Sequence, residues 1–160
     1  MCIRDRNNID LALWPGELKD SSYKARRIGL ARRITVASPA YLKARGTPRK
    51  PEDLVFHDCI VFSRLGQYTG TGIRNTWIYH DPEGREIEVE VSGAFQTDNS
   101  SFVRDAVLQE LGIYQGPNYV FADDLKAGRV IQILQDYTLA SLPIHVLFQS
   151  SAFLPIRIRV

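Results

Sequence analysis

A chain of 160 residues is the size of one domain and can bury a real core. It is 44% hydrophobic and 24% charged, which excludes collagen-like, coiled-coil and disordered classes. Lys plus Arg is 20 and Asp plus Glu is 18, so the net charge is +2, without the basic excess of a nucleic-acid-binding surface. No apolar run reaches the length of a membrane span. Two cysteines, Cys2 and Cys59, make no disulfide framework. Met1 to Asn8 carries no apolar secretory core, so a cytoplasmic location is expected. The opening Met-Cys-Ile-Arg-Asp-Arg has no periodicity and reads like a translated sequencing adapter. Residues 1–6 are therefore set aside from fold reasoning.

In chain order, Ile9 to Trp14 alternates as a strand does, and Pro15-Gly16 ends it. Leu18 to Ser22 is a polar loop, and Tyr23 to Leu30 fits neither period. Arg33 to Ala37 reads as a strand. Ser38-Pro39 then supplies an N-cap and a first-turn proline for a short helix that Gly46 ends. Pro51 to Leu54 fits one helical turn, and Ile60 to Phe62 a buried strand. Gly66 to Asn75 is a loop. Trp77 to Tyr79 and Glu86 to Val91 are strands of a hairpin turned by Asp81-Pro-Glu-Gly84. The second strand alternates strictly, with Glu86, Glu88 and Glu90 on its wet face. Gly93 to Gln96 continues as a strand.

Thr97 to Ser101 offers cap residues for the clearest helix. Its apolar set is Phe102, Val103, Ala106, Val107 and Leu111, with Gly112 as the stop. Ile113-Tyr114 is a short strand. Pro117 opens a helix through Val120, Phe121 and Leu125, ended by Gly128. Val130 to Leu134 and Ile144 to Phe148 are strands. Alternating strands and helices predict an α/β fold with a largely parallel sheet, made mixed by the acidic hairpin.

Few residues suggest chemistry. His57-Asp58-Cys59 contains a base, an acid and a nucleophile, but neighbours in a strand point to opposite faces and form no relay. His57, His80 and His145 fall in no metal-ligand spacing, so neither a metal nor a cofactor is expected. Gly70-Thr-Gly72 lacks the glycine spacing of a phosphate loop. Arg26-Arg27 and Arg32-Arg33 read first as a solvated basic face or as partners of acidic residues, with contact to an anionic ligand or DNA as the alternative. Thr97 to Ser101 stands at a helix N-terminus, whose free N–H groups favour a carboxylate or other small anion; plain capping uses the same residue types.

The ordered set of short motifs resembles the effector-binding domain of LysR-type transcriptional regulators. The pieces are Asp10-Leu-Ala-Leu, Gly16-Glu-Leu, Val36-Ala-Ser-Pro-Ala-Tyr-Leu42, Gly46-Thr-Pro48, Pro51-Glu-Asp-Leu54 and His57-Asp-Cys-Ile60. Asn75-Thr-Trp77, Val91-Ser-Gly93, Thr97-Asp-Asn99, Leu111-Gly-Ile113, Pro117 and Leu125-Lys-Ala-Gly128 follow in the family's order. The resemblance implies a periplasmic-binding-protein-like (type 2) α/β fold with two lobes and mixed sheets. A remnant of the first lobe would be residues 7–35 and 139–160; residues 36–138 would form the second lobe nearly whole. The N-terminal winged helix-turn-helix that contacts DNA would lie outside this chain. A small-molecule effector, a small anion or carboxylate, would bind in the cleft between lobes. Its contacts would be Trp14, Gly16, Phe62, Ser63, Thr97, Asn99, Ser100, Gln115 and Pro117. The full-length protein would be a homodimer or homotetramer, and not an enzyme. A periplasmic solute-binding protein of the same fold, used in transport, is the alternative. One departure stands out: Tyr114-Gln115-Gly116 replaces the family's aliphatic run. It either puts a polar contact in the cleft or marks a divergent sequence.

Overall fold

Capping chemistry sets the first elements of the computed structural model, which describes residues 11–16, 18, 24–62 and 75–148. Helix α1 (Pro39–Arg45) begins where Ser38 Oγ accepts the Tyr41 N–H at 3.1 Å, with proline in the first turn. It ends at Gly46, whose φ of 86° is one that side chains rarely adopt. Pro51–Phe56 forms a 3-10 turn. Strands β5 (Thr76–His80) and β6 (Glu86–Glu90) pair antiparallel from Thr76↔Glu90 to His80↔Glu86. The turn between them closes as its sequence predicts: Gly84 N–H donates to Asp81 O at 2.9 Å, and Asp81 Oδ1 accepts the Arg85 N–H at 2.8 Å.

The chain divides into two compact units, Met1–Leu30 with Pro143–Val160, and Ala31–Leu142. The whole of strand β3 (Arg33–Ala37) therefore lies in the second unit, so the division comes before the boundary expected at residue 35.

In the second unit β3 is the centre of a sheet of order β8-β3-β9, with β8 at Tyr114–Pro117 and β9 at Ile131–Ile133. Both neighbours run antiparallel to it. Strands β4 (Val61–Phe62) and β7 (Gln96–Thr97) pair parallel, and Cys59 bridges Ile113 in parallel too. The sheet is thus mixed because of β3. The hairpin, expected to cause the mixing, forms its own two-stranded sheet and reaches beyond it through an isolated antiparallel bridge, His80↔Thr138.

The pleat of β3 splits the core in two. Ile34 and Val36 pack with Val103, Ala106, Val107, Tyr114, Phe121 and Val130 on the helical face. Ala37 joins Tyr41, Leu54, Trp77, Tyr79 and Val89 on the hairpin face. Gly93 lets the backbone at Cys59 come so close that a Cβ would strike the Cys59 carbonyl oxygen.

Helix α2 (Ser100–Leu108) is shorter than predicted. Glu110, at φ 64°, ends it in a left-handed turn in which Leu111 N–H reaches Ala106 O at 3.0 Å and Glu110 N–H reaches Val107 O at 3.1 Å. Leu111 falls outside the helix and is exposed, so Gly112 is not the stop. The helix predicted from Pro117 is instead the end of β8, a 3-10 turn Asn118–Phe121 and α3 (Ala122–Lys126). Pro117 pairs with Arg33 across the sheet, and that pairing holds it in extended backbone.

Strands β1 (Leu11–Pro15), β10 (Leu142–Phe148) and β2 (Lys24–Ala31), which lie in the first unit but for Leu142 and Ala31, form a sheet of order β1-β10-β2. The segment from Tyr23 that fitted no period is a strand from Lys24 on. Leu11 opposes Phe148 and Leu13 opposes Val146, which makes one face of this sheet apolar; Leu11, Leu13, Ile28 and Leu30 are exposed.

Candidate functional site

Three chain segments run parallel in the second unit. The Cys59↔Ile113 bridge sets the register of the first two. Phe62 lies opposite Thr97. The carboxyl ends of β4 and β7 therefore meet at Phe62 and Thr97. In open α/β sheets that edge is where ligands bind.

Helix α2 starts directly after β7. Asn99 is its N-cap, and its Oδ1 accepts the Ser101 N–H at 2.9 Å. Thr97 Oγ1 accepts the Asn99 N–H at 3.2 Å. Capping is thus real, and it takes up one of the first-turn N–H groups and leaves the positive end of the helix dipole beside Thr97. Ser100 is the first helical residue and is exposed. Phe62, Thr97, Asn99 and Ser100 come together.

The other predicted contacts are placed differently. Trp14 lies within β1, opposite His145, and Gly16 donates its N–H to Pro143 O at 2.8 Å, both within the first unit. Ser63 and Gly70-Thr-Gly72 lie outside the described residues. Gln115 is 1% exposed and opposes Thr35, so it shares the hairpin face of the sheet, not the face that carries α2. Its Oε1 accepts a hydrogen bond from Arg33 Nη2. Arg33 was expected on a solvated basic face, but strand alternation turns it inward beside Gln115. Burial draws its guanidinium pKa down. Thr35 Oγ1 and the Tyr79 hydroxyl share a 2.9 Å hydrogen bond on the same face. Burial pushes the Tyr79 hydroxyl up to about 12. The sequence singled out Gln115 and Arg33 separately but not their pairing, because β3 and β8 join positions 82 residues apart.

The α2 helix is held from behind. Asp124, 1% exposed, accepts two hydrogen bonds from Arg104 at 2.6 and 2.7 Å and one from Arg129 Nε at 2.7 Å. The Arg104 hydrogen bonds hold its carboxyl below the usual range, against the opposing effect of burial.

The three residues His57, Asp58 and Cys59 go separate ways, as strand geometry requires. His57 Nδ1 meets the Tyr41 hydroxyl at 3.3 Å, Asp58 pairs with Arg45 at 2.7 Å, and Cys59 is buried against Leu54 O. Burial pushes the Cys59 thiol up to about 12. Among the described residues no three His, Cys, Asp or Glu side chains are placed to hold a metal ion. Nor, among them, is any helix long and apolar enough to cross a membrane.

This architecture is the type 2 periplasmic-binding-protein-like fold, and solved structures share it. The regulatory domain of CrgA, a LysR-type transcriptional regulator from Neisseria meningitidis, superposes with a TM-score of 0.78 at 29% identity, over 95% of this chain and 71% of that one. The regulatory domain of AphB from Vibrio vulnificus gives 0.75 at 28% identity, over 98% and 75%. The family model of the LysR substrate binding domain matches residues 4–160, and the chain belongs to that family. The curated regulator CrgA from Neisseria meningitidis is 31% identical over 153 residues. That alignment covers 95% of this chain and 48% of CrgA, so the chain spans about half the length of this relative. These relatives are transcriptional regulators, and the transport alternative is not favoured.

Proposed function

We propose that this chain is the effector-sensing part of a LysR-type transcriptional regulator. A small anion or carboxylate meets the N-terminus of α2 at Thr97, Asn99 and Ser100, with Phe62 beside it. The observation that carries this reading is the shared edge: β4 and β7 end at Phe62 and Thr97, and α2 begins there. A fixed anion at a helix N-terminus gains typically ~0.3–1 kcal/mol from the dipole, and hydrogen bonds add to it. Trp14, Gly16, Ser63 and Pro117 remain proposed effector contacts by resemblance.

In the whole regulator, a winged helix-turn-helix outside this chain contacts DNA, and the protein acts in the cytoplasm as a homodimer or homotetramer. Effector binding shifts the population of regulator conformations that differ in DNA affinity. The chain itself catalyses nothing.

Calorimetric titration with a panel of small mono- and dicarboxylates, each beside its neutral amide, tests the reading. At least one acid is expected to bind saturably while its amide does not. Equal binding of acid and amide, or no binding by any acid, would sink it.

A further inference from the structure

The chain passes between its two units twice, and the two passages are built differently. At the first, Arg32 alone separates β2 from β3, and its carbonyl accepts the Asn118 N–H at 2.8 Å. A single residue held in this way allows little travel, so this passage acts as a pivot. At the second, residues 134–141 separate β9 from β10.

Most of the second passage is fastened to the hairpin. It opens in a left-handed turn at Leu134, φ 54°, which the Tyr137 N–H closes by donating to Leu134 O at 3.2 Å. His80 and Thr138 then each donate the backbone N–H to the other's carbonyl, both at 2.9 Å. The Tyr137 ring meets Tyr79 edge-on, with centroids 6.4 Å apart and planes at 84°. Leu134, Tyr137 and Leu139 pack against the core that holds Trp77, Tyr79 and Val89. Beyond Leu139 the fastening stops: Ala140 and Ser141 are exposed and stand in no strand, helix or bridge. A tie made of one bridge and one ring contact is weaker than a sheet, so it opens locally before the fold does.

We propose that the hairpin of β5 and β6 latches the second passage, through His80–Thr138 and Tyr79–Tyr137, and so sets how far one unit can turn about the pivot at Arg32. While the latch is closed the free link is residues 139–141, which reach about 10 Å at full extension. Opened back to β9, the link is residues 134–141, which reach about 27 Å. The pivot keeps its length in both states, so opening the latch turns a narrow range of unit orientations into a wide one. Whatever biases the latch shifts that range. The latch is independent of the effector reading, which concerns the start of α2.

The test uses nuclear magnetic resonance on the nitrogen-15-labelled chain with no ligand added. Amide hydrogen exchange in the wild type is expected to be at least about tenfold slower at His80 and Thr138 than at Ala140 and Ser141. Residual dipolar couplings then give the alignment magnitude of each unit, and a smaller ratio of first unit to second unit means wider turning. Tyr137→Ala removes the ring contact, and Thr138→Pro removes one donor of the bridge. Both are expected to lower that ratio below its wild-type value. A Thr138 amide that exchanges as fast as that of Ala140 overturns the proposal. So does a ratio that both variants leave at the wild-type value.

Discussion

Replacing Asp124 with asparagine removes one charge and keeps the volume, and it tests what holds α2 in place. Asp124 is 1% exposed and is the shared acceptor for Arg104 and Arg129. The substituted amide would offer one oxygen to two guanidinium groups and turn an N–H₂ toward them. The arginine side chains are 38% and 50% exposed, so both recover water when the carboxylate is lost. The expected cost is therefore about 3 kcal/mol, the low end of the ~3–5 kcal/mol for breaking a buried pair. For a unit of this size that lowers the melting temperature by about 10 °C or more. Urea unfolding followed by circular dichroism measures it.

The sign with pH follows from the lowered carboxyl pKa. A carboxylate held below its unfolded value of about 3.9 contributes fully above that value and loses its contribution as pH falls through the folded one. Wild type and Asp124→Asn should differ by a constant amount at neutral pH and converge below about pH 4. A loss under about 1 kcal/mol, or a difference that survives undiminished in strong acid, would refute the clamp.

Other outcomes follow from single contacts. Asn99→Ala loses the α2 cap and should cost about 1 kcal/mol in urea unfolding. Gly93→Ala drives a Cβ into the Cys59 carbonyl oxygen, so a loss near the upper end of ~1–3 kcal/mol is expected from the same measurement. The Cys59 thiol, buried and pushed up to about 12, should resist iodoacetamide in the native protein. Site-resolved mass spectrometry should find it alkylated only after unfolding, and rapid native labelling would contradict the burial.

What could be read from the sequence was local. Ser38-Pro39 capped α1 and Asp81 to Gly84 turned the hairpin, because each motif makes its hydrogen bonds within a few residues. Thr97 to Ser101 was recognisable as a cap for the same reason. The end of α2 was missed because a non-glycine residue, Glu110, takes the left-handed position that favours glycine. Pro117 opened no helix because strand pairing with Arg33 outweighs its local preference. The direction of β3 could not be read, since antiparallel pairing with both β8 and β9 is a property of distant segments. The inward turn of Arg33 depended on that pairing. Side by side in sequence, Arg32 and Arg33 look alike; alternation leaves Arg32 exposed and carries Arg33 to Gln115.

The central claim is that a small anion sits at the start of α2. Backbone amide shifts of the nitrogen-15-labelled chain, recorded against whichever acid the calorimetric panel finds, test it most directly. The account predicts saturable shifts centred on Ser100, Ser101 and Phe102, with Thr97 following. Saturable binding that leaves those amides unmoved and shifts another surface would contradict it.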